Sequence, residues 1–262
     1  MKITKAVILA GGLGSRMAPA SRIVAKEMLP IVDRPVLDFL VEDLWGAGIS
    51  EVLVVSHKDK TCIQNFFSNS KVKFSYIYPD APLGVADALL HAENFVGNEP
   101  FILLYGDVLF SAKPTSIAQM LELYKKHNCS VLATRKVPNS KVHLYGCLAF
   151  REVGDSKFVT SIIEKPHISE APSNMVIAGQ YVLMPKIFSH LKKLQSGELF
   201  TDSLLALANN SNLVICEING KCFDIGSKLG YVMATLHYAM LHPQIKREIK
   251  SFLYGFNKKI KP

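Results

Sequence analysis

"AVILAGGLGSRMAPASRIVAKEMLP", residues 6–30, decides how this chain is read. It begins as a short apolar run, the pattern of a buried strand, and breaks at Gly11, Gly12 and Gly14. Ala10 stands just before the glycines, and Arg16 and Lys26 follow them. Glycines let the backbone approach an anion closely and present successive N–H groups to it. Arginine adds a fork matched to phosphate oxygens, and lysine adds a flexible cation. The glycine spacing fits neither the G-x-G-x-x-G dinucleotide fingerprint nor the Walker A loop, which ends in G-K-S/T. The stretch therefore points to a phosphate-bearing ligand held outside the two common phosphate-loop classes.

The rest of the chain supplies the scaffold. From Pro35, the residues Leu37, Leu40, Val41 and Leu44 recur at helical spacing, and Gly48 offers a stop. Strands are expected over 51–56, over 73–78 and within 100–110, with helices over 59–68 and 85–95 between them. A helix over 116–127 and a strand over 129–135 continue the alternation. Alternating strands and helices define βαβ units and a parallel sheet covered on both faces. The second half is less regular: extended pieces over 145–150, 157–166, 176–185 and 213–218, and helices over 185–195, 199–210 and 228–240. There is no internal repeat and no low-complexity linker. The expectation is a single α/β domain with a Rossmann-like, mostly parallel central sheet and an elaborated second half. Three stretches follow from this pattern: a regular first part over residues 1–135, the elaborated part over 136–227 and a C-terminal helical segment over 228–262.

Composition narrows the function classes. Apolar residues make up 49% and charged residues 20%, as in a soluble protein with a large core. No run nears the roughly 18 apolar residues of a membrane span. The first residues lack the pattern of a signal peptide, so a cytoplasmic protein is expected. The five cysteines, at 62, 129, 147, 216 and 222, are irregularly spaced and read as thiols in a reducing compartment. The net charge of +8 is concentrated in the C-terminal "KREIKSFLYGFNKKIKP". No nucleic-acid motif accompanies it, so no nucleic-acid partner is expected. The charge suits a polyanionic small substrate instead.

With these residues in hand, the chain resembles the sugar-1-phosphate nucleotidylyltransferases. "GGLGSR" and "AKEMLP" match the family signature G-G-x-G-[ST]-R and P-K-E-M-L-P. "EKP" at 164–166, "PSNMVIAGQYVL" at 172–183 and "GKCFDIGSKLGYVMA" at 220–234 extend the likeness nearly end to end. It is nearest to the bacterial uridylyltransferase branch, which implies UTP and glucose 1-phosphate as substrates. The resemblance implies that Ala10, Gly11, Gly12 and Gly14 hold the nucleotide, with Gly84 and the segment at Pro79 facing the base. It implies that Arg16, Lys26 and Lys165 act on the phosphates and that Asp107 and Asp224 bind Mg²⁺. Tyr145, Gly146, Glu164, Lys165, Asn174 and Gly179 would contact the sugar phosphate. Related enzymes form dimers or tetramers, often through C-terminal helices, so a homo-oligomer is expected. Tyr231, Leu236, Tyr238 and Met240 in the helix over 228–240 read more as core than as interface, while Phe252, Leu253, Tyr254 and Phe256 form a dense, exposed-looking set in the tail.

The chain departs from the family at defined places. Pro79 stands where the family carries a glutamine that reads the pyrimidine edge, five residues before Gly84. Asp80 and the backbone are the candidate substitutes. Ala25 replaces the proline before "KEMLP", and Leu199 replaces a glutamine. A large insertion before the base-contact segment is missing. Two other readings stay open: a thymidylyl- or cytidylyltransferase of the same family, and a non-catalytic binder of nucleotide sugars.

Overall fold

The computed structural model describes residues 2–81, 83–209 and 212–260, the side chains of 256–260 excepted. Phe256 therefore lies outside the described side chains. The elements run β1 (Lys5–Leu9), β2 (Pro30–Ile31), β3 (Arg34–Pro35), α1 (Val36–Gly46), β4 (Glu51–Val55), α2 (Thr61–Phe66), β5 (Lys73–Ile77), α3 (Val85–Leu90) and α4 (Glu93–Val96). Next come β6 (Phe101–Tyr105), β7 (Val108–Ala112), α5 (Ser116–His127), β8 (Ser130–Lys136), β9 (Gly146–Val153), β10 (Ser156–Glu164) and β11 (Met175–Leu183). The chain continues with α6 (Lys186–Leu191), α7 (Phe200–Ala208), β12 (Leu213–Glu217), β13 (Gly220–Asp224), α8 (Lys228–Ala239) and α9 (Lys246–Ile260).

Nine strands form the central sheet in the order β5-β4-β1-β6-β11-β8-β12-β10-β9. The four strands of the first half pair in parallel, as do β8 and β12. β11 runs antiparallel to both β6 and β8, and β10 runs antiparallel to β12 and β9. Seven strands thus share one direction, with β10 and β11 reversed. Side chains on the parallel strands alternate between two cores. Ala6, Ile8, Val52, Val54, Ile102 and Leu104 join one, together with Leu37, Leu40 and Leu44 of α1 and Ile117 and Met120 of α5. Val7, Leu53, Phe101 and Leu103 join the other, with Leu89 of α3, Phe188 of α6 and Leu204 of α7. This two-sided burial explains the unbroken apolar strands. Each fully buried leucine contributes about 2 kcal/mol before entropy costs.

Two expectations change in detail. The helix expected over 85–95 is split into α3 and α4. At the join, the Ala92 amide bonds to the Leu89 carbonyl at 2.9 Å, a tightened turn that still buries Leu89, Ala92 and Val96. The strand within 100–110 is two strands: β6 ends at Tyr105, and β7 leaves the sheet to pair antiparallel with β13.

The helix near the C-terminus divides between core and surface. Tyr231 and Tyr238 pack on the core, their hydroxyls donating to the carbonyls of Pro30 at 2.8 Å and Phe110 at 3.3 Å. Leu236, expected rather in the core, is exposed together with Leu229, Val232 and Met233, and the four form the apolar outer side of α8. No helix among the described residues is long and apolar enough to cross a membrane.

Candidate active site

The loops after β1, β4, β5 and β6 meet at the carboxyl ends of parallel strands, where open α/β sheets bind ligands. They enclose a cleft of about 340 Å³, lined by Gly11, Gly12, Lys26, His57, Pro79, Gly84, Tyr105 and Asp107 among others. Ala10 is buried beneath it. Gly14 has φ +67°, and a Cβ there would lie 3.0 Å from the Ser21 Cβ, so the turn requires glycine. Gly84 begins α3 at φ +108° with open space around it, so backbone conformation alone selects glycine there.

The β7–β13 ribbon assembles the acidic pair. Asp224 is in register with Val108, the neighbour of Asp107, and the Ile225 amide donates to the Asp107 carbonyl at 2.8 Å. A Cβ on Gly226 would sit 2.6 Å from Asp107 Oδ2, 3.0 Å from Asp224 Oδ1 and 2.9 Å from an Arg16 guanidinium nitrogen. Both carboxylates therefore converge on one small space. Lys26 is ion-paired with Asp107, and Arg16 lies 3.6 Å from Asp224. Two hard oxygen donors, open to further oxygens from phosphate and water, fit a hard divalent cation.

Beneath the glycine loop lies a charged pair that the sequence reading did not single out. Glu27 is 1% exposed and accepts from Lys60 at 2.9 Å. Burial pushes the Glu27 carboxyl up, while Lys60 and Lys26 pull it back. Lys60 also donates to the carbonyls of Ala10 at 2.5 Å and Gly12 at 2.8 Å. The available signal was the lysine following a parallel strand, but sequence spacing does not pair it with a glutamate 33 residues earlier.

The sugar-side candidates gather around Glu164. The Lys165 amide donates to the Tyr145 carbonyl at 3.0 Å, tying "YG" to "EKP". Lys165 has φ +46°, a strained conformation for a residue with a side chain. A Cβ on Gly146 would lie 2.9 Å from Glu164 Oε2, and one on Gly179 would lie 2.9 Å from the Tyr105 ring. Both glycines are close-approach positions. Burial pushes the Glu164 carboxyl up, Lys165 opposes this and Asp202 adds to it. Tyr105 accepts a hydrogen bond from Tyr181 at 3.2 Å and lines the cleft; it is a further group that the sequence reading missed. Asn174 lies exposed at the start of β11, its carbonyl bonded to the Val137 amide, and is not joined to Glu164 or Lys165 by a described bond. Pro79 is in the cleft wall, whereas Asp80 is not among the lining residues; His57 and Asp87 are.

A phosphate-compatible glycine loop, two converging carboxylates and facing cations at the strand ends define a nucleotidyl-transfer class of site. The chain belongs to the nucleotidyl transferase family, whose profile matches residues 5–240. It is 35% identical over 291 aligned positions to UTP–glucose-1-phosphate uridylyltransferase 2 of Streptococcus pyogenes serotype M3, covering 98% of this chain and 97% of the relative. Its fold matches a UTP-bound UGPase from Acinetobacter baumannii with a TM-score of 0.88 and 31% identity, covering 96% of this chain and 99% of that one. A UDP-glucose pyrophosphorylase complexed with UDP-glucose matches with a TM-score of 0.85 and 30% identity, covering 90% and 98% of the two chains.

Proposed function

We propose that this chain is a uridylyltransferase that joins UTP to glucose 1-phosphate, giving UDP-glucose and pyrophosphate. The observation that carries this reading is the convergence of Asp107, Asp224, Lys26 and Arg16 beside the glycine-lined cleft, whose wall includes Lys26 and Asp107. The activity for which the relatives are named supports the choice of substrates. A thymidylyl- or cytidylyltransferase of the same family is the second reading: the Pro79 ring offers no hydrogen bond to a pyrimidine edge, so the choice among the pyrimidines rests on other groups of the cleft.

The chemistry needs little covalent help from the protein. A sugar phosphate has a second pKa of about 6, so its oxygen is already a nucleophile at neutral pH. It attacks the α-phosphorus of the triphosphate, and pyrophosphate leaves from the opposite side. The obstacle is repulsion between two polyanions. Lys165 holds the sugar phosphate while Glu164 accepts from sugar hydroxyls; Tyr145, Gly146, Asn174 and Gly179 shape that side. Lys26 and Arg16 draw the triphosphate to the loop of Gly11, Gly12 and Gly14 and stabilise charge on the departing pyrophosphate. Asp107 and Asp224 are the residues that would hold Mg²⁺, which would neutralise phosphate charge. Residues 1–135 serve the nucleotide, 136–227 the sugar and 228–262 assembly. The exposed α8 stripe Leu229, Val232, Met233 and Leu236 supports a homo-oligomer. The reading includes a cytoplasmic location. A panel of UTP, dTTP, CTP, ATP and GTP against glucose 1-phosphate tests the substrates. Turnover confined to dTTP or CTP would replace the uridylyl reading.

A further inference from the structure

The trans peptide planes of the glycine loop have a fixed consequence. In a planar trans peptide the C=O and the following N–H point in opposite directions. The only cis peptide bonds among the described residues are Ala18–Pro19 and Lys113–Pro114, so the 10–11 and 12–13 peptides are trans. Both of their carbonyls, on Ala10 and Gly12, are turned onto the Lys60 ammonium. The amides of Gly11 and Leu13 therefore point away from Lys60. Neither amide donates a described hydrogen bond within the protein. Gly11 and Gly12 line the cleft, whereas Lys60, its side chain only 12% exposed, is not among the lining residues.

We propose that Lys60 is a positioning residue for the nucleotide: its ammonium, held by the buried Glu27, fixes the loop so that the Gly11 and Leu13 amides face the bound triphosphate. This rests on the nucleotidyl-transfer reading of the cleft and adds to it the group that sets the loop's shape. Charge accounting supports a positioning role over direct attraction. Glu27 is buried against Lys60, at 3.2 and 2.9 Å for its two oxygens, and offsets its charge locally. Lys26, the preceding residue, turns instead to Asp107 in the cleft. The dipeptide Lys26–Glu27 thus sends one charge to the substrate side and one to the loop's support. The pre-set amides spare the loop an ordering cost when the nucleotide arrives.

The test separates positioning from plain stability. Lys60→Met alone leaves Glu27 buried without its partner, which destabilises the fold. The double variant Lys60→Met/Glu27→Met removes both charges at similar volume and is the informative protein. Its melting temperature is expected within a few degrees of the parent (the charge pair being replaced by apolar contacts). UTP affinity by calorimetry, and the KM for UTP, should worsen at least about tenfold, with the KM for glucose 1-phosphate changing less than about threefold. UTP affinity within twofold of the parent in the double variant would overturn the proposal. An equal loss toward UTP and glucose 1-phosphate would also overturn it, because that marks a general structural effect. The parent protein is the control: if it binds no UTP, the uridylyl reading fails, whatever the variants do.

Discussion

Asp224 lies beside Asp107 across the β7–β13 ribbon, although 117 positions separate the two in the chain. The neighbouring Gly226 leaves open the small space that both carboxylates face, since a Cβ there would fall 2.6 Å from one and 3.0 Å from the other. Asp107→Asn and Asp224→Asn are each expected to lower kcat at least about a hundredfold, with smaller effects on KM. Both proteins should stay folded. Steady-state kinetics beside thermal melting checks this, and near-normal metal-dependent turnover in both variants would remove the acidic pair from the mechanism.

Gly146 carries no side chain because Glu164 Oε2 and the Ile177 Cδ1 methyl stand 2.9 and 3.0 Å from its Cβ position. Gly146→Ala should displace the Glu164 carboxylate and the Ile177 methyl, both ends of flexible side chains, at a stability cost of about 1 kcal/mol or less. The KM for glucose 1-phosphate should rise about tenfold, with the KM for UTP little changed. A rise in the UTP constant alone would assign Glu164 to the other substrate.

Pro79 presents no hydrogen bond from its place in the cleft wall. A site that loses a base-edge hydrogen bond discriminates less, because a wrong base then leaves fewer buried groups unpaired. The parent should therefore accept several nucleoside triphosphates, and Pro79→Gln should raise the kcat/KM preference for pyrimidines. Sharp UTP selectivity unchanged by the substitution would shift base reading to His57 or Asp87, which line the same cleft.

Asp43 on α1 gives a stability signal independent of the site. Burial raises its pKa from 3.8 to about 6; Glu42 adds to the rise and Arg34 opposes it. Between those two values the native state keeps a proton that the unfolded chain has lost. Stability from this group is therefore present below about pH 4 and lost as pH rises through about 6. Asp43→Asn should stabilise by about 1 kcal/mol at pH 8, a figure discounted for solvent screening, and by nothing at pH 3.5. Melting curves at the two pH values check the sign.

Much of this architecture is legible in the sequence where local pattern and burial agree. Helix α5 follows its expected bounds because Thr115 caps it, accepting from the Ala118 amide at 3.2 Å, and Ile117 and Met120 face one core. The strand β13 escaped because its partner β7 is more than a hundred residues earlier, a pairing that no local period reports. Glu27 and Lys60 escaped for a similar reason. Each looks like a surface charge until the fold buries one against the other. The metal-binding roles proposed for Asp107 and Asp224 rest on family likeness, and the structure adds the convergence of the two carboxylates.

The most direct test is pyrophosphate release by the purified protein from UTP and glucose 1-phosphate, with and without Mg²⁺. The account predicts UDP-glucose and pyrophosphate in equal amounts, dependent on the metal and on both substrates. Binding of UTP without any release of pyrophosphate, across metals and sugar phosphates, would contradict it and leave a nucleotide-sugar binder on an enzyme's fold.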